Sequence, residues 1–131
     1  MPFTVKQIRS TDVAEVVFRG PVTRADQWNA ASEAVRLQRQ FSIFKFLVIA
    51  DEAESEASQE RVRQVVDENY VQLEVRRMTR IAVVRPRSES ARRFAELYEE
   101  ACHARGWNAR VFPNREVAMK WLEGAGRNRR I

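Results

Sequence analysis

The fold is decided by the stretch IFKFLVIA, residues Ile43 to Ala50, and by the acidic run DEAE, Asp51 to Glu54, that follows it directly. Apart from Lys45 the first stretch is apolar, and aromatic and β-branched residues dominate it. A strand with apolar side chains on both faces has to be covered on both, so the pattern predicts the central strand of a sheet. Because open α/β sheets place their sites at the carboxyl ends of strands, we expect the functional surface to begin at Asp51.

The length and composition predict one small domain. A chain of 131 residues with 44% hydrophobic and 31% charged residues is typical of a soluble globular protein that folds without a metal or disulfides. Cys102 is the only cysteine, which excludes an intrachain disulfide and a cysteine-rich zinc site. We predict a single domain over residues 1–124, a disordered basic tail over residues 125–131, and no cofactor.

The charge balance is basic, with 23 Lys and Arg residues against 18 Asp and Glu, a net charge of +5 and a pI near 10.1. This balance permits a nucleic-acid or anionic partner. Three of the basic residues are lysine, so 20 are arginine (23 − 3), and such a skew is explained as easily by genome composition. We therefore favour a compositional bias over nucleic-acid binding.

No targeting or membrane segment is predicted. The first residues lack a basic segment followed by an apolar run, and the longest apolar runs fall far below the ~20 residues of a membrane span. A cytoplasmic location is the resulting expectation.

The hydrophobic pattern predicts the element order β-β-α-β-α-β-α-β-α, a mixed five-stranded α/β sheet with four helices. The first two strands form an antiparallel hairpin near an edge, and Gly20-Pro21 ends the second strand. Right-handed crossovers make the strands from the second onward parallel. The predicted strands are Phe3–Ile8, Val13–Arg19, Ile43–Ala50, Arg80–Arg85 and Trp107–Phe112.

Each of the four helices is predicted from a capping residue and an apolar stripe at helical spacing. Thr23 with Asp26 resembles a capping box for the first helix, which runs to about Gln40. Ser58, Ser88 and Asn114 are the caps predicted for the others. The predicted stripes are Trp28, Ala30, Ala31, Ala34, Val35, Leu37 and Phe41; Val62, Val65, Val66, Tyr70 and Leu73; Ala91, Phe94, Ala95, Tyr98, Ala101 and Cys102; and Val117, Ala118, Trp121 and Leu122.

No residue pattern predicts catalysis or metal binding. His103 is the only histidine, and nothing in the sequence nominates the acid or nucleophile that a general base requires, so we expect a surface side chain. Cys102 lies on an apolar stripe and is expected to be an inert buried thiol. The acidic residues near the second helix lack the glycine and the spacing of a cation loop and are explained by a solvated helix entry; they are Asp51, Glu52, Glu54, Glu56 and Glu60.

Two neighbouring segments are candidates for binding a partner or an anion. A phosphate on Ser55 or Ser58 would be favoured at a helix N-terminus, although capping alone explains Ser58. Arginine side chains and free backbone N–H groups converge where the fourth strand ends and the third helix begins, which is an arrangement that can hold an anion. The candidate residues are Asp51, Ser55, Ser58, Arg85, Arg87 and Ser88.

Several motifs, taken in order, resemble one known family. They are FRGPVT (Phe18 to Thr23) with Asp26, the strand that ends at Asp51, IAVV (Ile81 to Val84), and VFPN (Val111 to Asn114) leading to Ala118, Trp121 and Leu122. Together they resemble the SpoIIAA-like, or STAS-like, proteins, which are similar to bacterial anti-sigma-factor antagonists. The resemblance covers about Phe3 to Leu122.

That resemblance implies the fold described above and a regulatory role without catalysis. Typical regulatory members carry an Asp-Ser pair, often followed by Gly, at the start of the helix after the central strand, and a kinase phosphorylates that serine. Here the segment reads Ala57-Ser58-Gln59, so the resemblance is to the divergent, mostly uncharacterised branch, without the usual phosphorylation switch.

Two function classes remain open. The first is a non-enzymatic module that docks a protein partner, or a second copy of itself, at the carboxyl ends of the parallel strands. The alternative is a small-ligand or lipid carrier, in which Phe44, Phe46 and Val48 are covered by a ligand or a second subunit where the helices leave them bare.

Overall fold

The computed structural model describes residues 3–54 and 59–124, and the predicted tail lies outside this part of the chain. The predicted element order is confirmed. The strands are β1 (Phe3–Gln7), β2 (Val13–Pro21), β3 (Lys45–Glu54), β4 (Arg80–Val84) and β5 (Asn108–Phe112), and the helices are α1 (Arg24–Phe41), α2 (residues 59–72), α3 (Glu89–Ala104) and α4 (Arg115–Gly124).

The five strands form one sheet in the order β1-β2-β3-β4-β5. β1 runs antiparallel to β2, and the other neighbouring pairs are parallel, as predicted. β3 therefore lies in the middle. This position follows from its sequence, because only a strand with neighbours on both sides and helices on both faces can bury the apolar run that begins at Phe46.

The predicted ends of β2 and β3 are wrong by a few residues. β3 begins at Lys45 and continues through the acidic run to Glu54, and β2 continues through Gly20 to Pro21. After an irregularity in register the two strands stay paired, and the N–H of Val22 donates to the backbone oxygen of Glu54 at 2.9 Å. Parallel pairing satisfies the backbone hydrogen-bonding groups of both segments. This outweighs the polar character of the acidic run in β3 and the Gly-Pro sequence in β2.

The helices divide unequally between the two faces of the sheet. α1, α2 and α3 pack on the face that carries Phe46 and Ile81, whereas α4 packs on the face that carries Leu47 and Ala82. Each of the first three helices connects one parallel strand to the next strand in the sheet, and right-handed crossovers in one direction bring all three to the same side. α4 follows the last strand and covers the opposite face.

The predicted capping box of α1 is confirmed. Thr23 Oγ1 accepts from the N–H of Asp26 at 3.1 Å, and Asp26 Oδ2 accepts from the N–H of Thr23 at 2.9 Å. α4 is capped as predicted by Asn114 Oδ1, which accepts from the N–H of Val117 at 3.0 Å. These contacts satisfy N–H groups that a helix leaves without partners in its first turn.

Two residues predicted to lie in the core are exposed. Phe41 keeps 58% of its surface exposed and Val117 keeps 39%. Phe41 belongs to the last turn of α1, next to the left-handed Ser42 where the chain turns toward β3, and so it lies at the rim of the sheet. Val117 lies in the first turn of α4, whose buried residues are Ala118 and Leu122.

The β5 edge of the sheet is partly closed by a side chain. Glu99 of α3 reaches this strand, and its Oε2 accepts from the N–H of Val111 at 2.7 Å. A carboxylate bonded to an outward-facing N–H removes one of the donors that an added strand would need. β5 is therefore a poor template for pairing with another chain.

Candidate functional site

The surface predicted at the carboxyl ends of the strands is only partly in place. Arg85 and Arg87 are exposed after β4, as expected, whereas Asp51 is half-buried within β3 rather than at its end. Ser55 and Ser58 lie outside the described residues. The described part of the chain thus places two exposed arginines at this end of the sheet.

Ser88, another of the predicted site residues, has a structural role. It caps α3, as predicted, and it also contacts β3. Its Oγ accepts from the N–H of Ala91 at 3.2 Å, which caps α3, and also donates to the backbone oxygen of Ala53 at 3.3 Å. Arg92 donates from its guanidinium to the backbone oxygen of Arg87 at 3.3 Å. The bond from Ser88 to Ala53 brings the end of β3 and the start of α3 together.

Neither lone reactive side chain forms a catalytic pair in the described part of the chain. His103 is exposed on the last turn of α3. Cys102 is fully buried, and burial raises the pKa of its thiol to about 12, which makes it unreactive at neutral pH. Within residues 3–54 and 59–124, no group of three or more His, Cys, Asp or Glu side chains could hold a metal ion.

An apolar cavity lies between the sheet and the three helices α1, α2 and α3. Its volume is about 160 Å³, and its lining runs along the strands from Val22 and Pro86 at their carboxyl ends to Thr79 before β4. Helices α1 and α3 present alanines where larger side chains would fill the space. Seven alanines line the cavity: Ala30, Ala31, Ala34, Ala50, Ala53, Ala91 and Ala95.

The apolar walls of a space of about 160 Å³ lack the dispersion contacts that side chains make in a close-packed core. An engineered core cavity of similar volume in another protein binds benzene. The size of the space therefore fits a single small ring.

The described lining of the cavity has no charged side chain. Its described residues are apolar except for Gln27, Gln38 and Thr79, together with the hydroxyl groups of Tyr70 and Tyr98. A carboxylate or ammonium group moved into such a space loses its hydration without gaining an opposite charge, which is strongly unfavourable. The chemistry of the described walls thus favours uncharged ligands over charged ones.

The two tyrosines on the wall, Tyr70 and Tyr98, are hydrogen-bonded to each other through their hydroxyl groups. Their rings meet edge to face, with centroids 6.3 Å apart, and Tyr70 also packs against Trp107 at 5.5 Å. Burial raises the pKa of both phenols. Both hydroxyls are therefore protonated at neutral pH and act as neutral hydrogen-bonding groups.

α2 changes its helical geometry beside the cavity. Residues Gln64–Asn69 form a π-helical segment, and the N–H of Tyr70 donates to the oxygen of Val65, five residues earlier. Short π-helical segments are rare and are frequently found at functional sites. Here the segment carries Val65 and leads directly into Tyr70, and both side chains line the cavity.

Comparison with known proteins leaves the functional assignment to the geometry. The chain matches no protein-family model and no curated protein. In the part of the chain that the structure describes, every helix is too short or too polar to cross a bilayer.

Sequence analysis identified many of the apolar residues that line the cavity, but not the cavity itself. Ala30 and Ala34 on α1, and Ala91 and Ala95 on α3, were predicted as core positions, and all four face the sheet. The available signal was their size, because small residues on two neighbouring helical stripes leave space over a strand unless the helices move closer. Gln38, which lies between stripe positions, gave no signal at all.

Proposed function

We propose that the protein binds a small, uncharged, apolar molecule in the cavity between the sheet and helices α1 to α3. One observation carries the proposal: an alanine-walled space of about 160 Å³ whose described lining has no charged side chain. The size supports a ligand with one ring, and the neutral walls support a ligand without charge. This is the carrier alternative of the sequence analysis, with a small ligand in place of a long-chain lipid.

Binding can be tested with the alanines themselves as reporters. In protein with isotope-labelled alanine methyl groups, titration with toluene is expected to shift the signals of lining residues such as Ala34 and Ala95. The exposed residues Ala25 and Ala104 serve as internal controls and are expected to stay in place. If the signals of the lining alanines stay unchanged up to the solubility limit of toluene in water, the proposed site is excluded.

A matched pair of variants separates filling of the cavity from a general effect of larger side chains. Ala34→Leu places a larger side chain on the cavity wall and is expected to abolish the toluene-induced shifts. Ala25→Leu adds the same side chain at an exposed position of the same helix and should leave them intact. Equal binding by both variants would place the toluene elsewhere.

Docking of a protein partner, without catalysis, is the second candidate. The contact of Ser88 Oγ with the oxygen of Ala53, at 3.3 Å, supports it, because the two nominated segments are adjacent and exposed Arg85 and Arg87 flank them. The resemblance to SpoIIAA-like proteins also favours this role and remains a prediction. The partially closed β5 edge disfavours self-association by strand addition at β5.

Self-association at the polar end is tested by charge reversal. If the protein forms a homodimer there, the double variant Arg85→Glu, Arg87→Glu should sediment as a monomer at concentrations where the wild type is dimeric. Arg93→Glu reverses an exposed charge on α3 and should keep the dimer. A wild type that stays monomeric at all concentrations would rule out the homodimer form of this candidate.

A further inference from the structure

Gln38 and Thr79 form a buried polar pair on the cavity wall. They keep only 6% and 2% of their surfaces exposed, and both line the cavity. Gln38 Nε2 donates to Thr79 Oγ1 at 2.6 Å, and Gln38 Oε1 accepts from the N–H of Arg76 at 3.4 Å. The Arg76 N–H can only donate, and this fixes which end of the glutamine amide faces Thr79.

Within residues 3–54 and 59–124, this arrangement leaves two buried donors without acceptors. The Gln38 amide nitrogen carries two hydrogens and uses one of them on Thr79, whose hydroxyl oxygen accepts it and still carries its own hydrogen. Among the residues that the structure describes, none accepts from the second Gln38 N–H or from the Thr79 O–H. Buried donors without a partner are rare in folded proteins because each costs a lost hydrogen bond to water.

We propose that these two donors bind the carbonyl oxygen of an uncharged, single-ring ligand that occupies the cavity. The inference rests on the proposed function and names its ligand class. The two donor atoms lie 2.6 Å apart, close enough to share one acceptor oxygen with two lone pairs. A ligand hydroxyl or amine would instead bring a further donor to a place that already has two. The neutral walls exclude a carboxylate in the same position.

A probe pair of nearly equal shape tests the assignment. Acetophenone carries a carbonyl oxygen, and α-methylstyrene replaces that oxygen with a methylene group and keeps the ring and the methyl group. The dissociation constants of both are measured by the alanine-methyl titration, and the quantity of interest is their ratio. In the variant Gln38→Met the ratio should shift by about tenfold toward α-methylstyrene, as expected for one lost hydrogen bond.

Comparing ratios between proteins cancels the different solubilities of the two probes in water. The variant Thr79→Ser keeps the hydroxyl and should retain the wild-type ratio, whereas Thr79→Val removes it and should shift the ratio in the same direction as Gln38→Met. Gln40→Met, at an exposed position of α1, is the matched control and should behave as the wild type.

The outcomes distinguish failure of the carbonyl recognition from failure of ligand binding in the cavity. If α-methylstyrene binds and the ratio is the same in wild type, Gln38→Met and Thr79→Val, the cavity is a binding site but the donor pair does not recognise the ligand. Water bound permanently to the two donors would give that result. If neither probe moves the alanine signals of the wild type, the cavity takes no ligand and the proposed function fails together with the inference.

Discussion

The two faces of the sheet are filled in different ways. On the face covered by α4, Leu47, Ala82, Ala118 and Leu122 are all 0% exposed, and the rings of neighbouring aromatic residues complete the packing. On the face covered by α1, α2 and α3, alanines leave a space of about 160 Å³. One helix buries these four side chains completely, whereas three helices leave a gap, so the number of covering elements does not decide how well a face is filled.

The difference suggests a division of roles between the faces. A tightly packed face contributes stability because dispersion and burial act over its whole area. The other face gives up part of that stability by keeping apolar walls apart. This is what a binding site requires, since a ligand can restore the missing contacts only where the protein has left them unmade.

The largest expected effect is on the filled face. Leu122→Ala should lower the free energy of unfolding by about 2–5 kcal/mol, because it truncates a fully buried side chain and leaves a cavity. Urea denaturation measures this value. Val117→Ala, at an exposed position of the same helix, is the control and should change stability by less than about 0.5 kcal/mol. A small loss for Leu122→Ala would mean that the two faces are packed alike.

Alkaline pH should destabilise the cavity face. Burial raises the pKa of Tyr70, Tyr98 and Cys102, the last to about 12. The folded state therefore holds protons that the unfolded chain releases, so stability is complete below about pH 9 and falls as the pH rises, by up to about 1.4 kcal/mol per pH unit for each group. Urea denaturation between pH 8 and about pH 10.5 measures the slope, and Cys102→Ala should make it shallower.

The same titration has a direct optical readout. The chain contains two tyrosines, and both lie in this cluster, so phenolate absorbance reports on no other site. In the folded protein it should appear only well above the pH at which free tyrosine ionises. Phenolate formation at the ordinary pH in folded protein would contradict the buried hydroxyl pair.

Enlarging a small side chain should have opposite effects on the two faces. Ala34→Leu is expected to raise the free energy of unfolding by about 1 kcal/mol, because the added carbons enter space that already exists and part of the gain is lost to side-chain ordering. Ala118→Leu should lower it by about 1–3 kcal/mol through overpacking. Thermal and urea unfolding of the pair measure the contrast, and destabilisation by both would mean that the cavity cannot accept added volume.

The smallest effect is expected at the rim. Phe41→Ser should change stability by no more than about 0.5 kcal/mol, since the phenyl ring is already 58% exposed. A loss of several kcal/mol in urea denaturation would restore the sequence-based prediction that Phe41 belongs to the core stripe of α1.

Most of the architecture could be predicted because its determinants are local. The apolar run at the centre of β3, the Thr23 and Asp26 capping box, and the capping of α3 by Ser88 each act over a few neighbouring residues. The ends of β2 and β3 could not, because they depend on pairing between segments about 30 residues apart. The π-helical segment of α2 left no recognisable pattern, since its Val65 and Val66 suit an α-helix equally well.

The sequence by itself determined the element order, the central position of β3, the parallel topology and the capping residues, because hydrophobic periodicity and caps are properties of short segments. Only the tertiary structure decided that alanines on two helices would face a shared space, and that Gln38 and Thr79 would meet across 41 positions of the chain. The physical reason is that a cavity is a property of distances between elements. Those distances are set by the packing of all the side chains together, and no single segment encodes them.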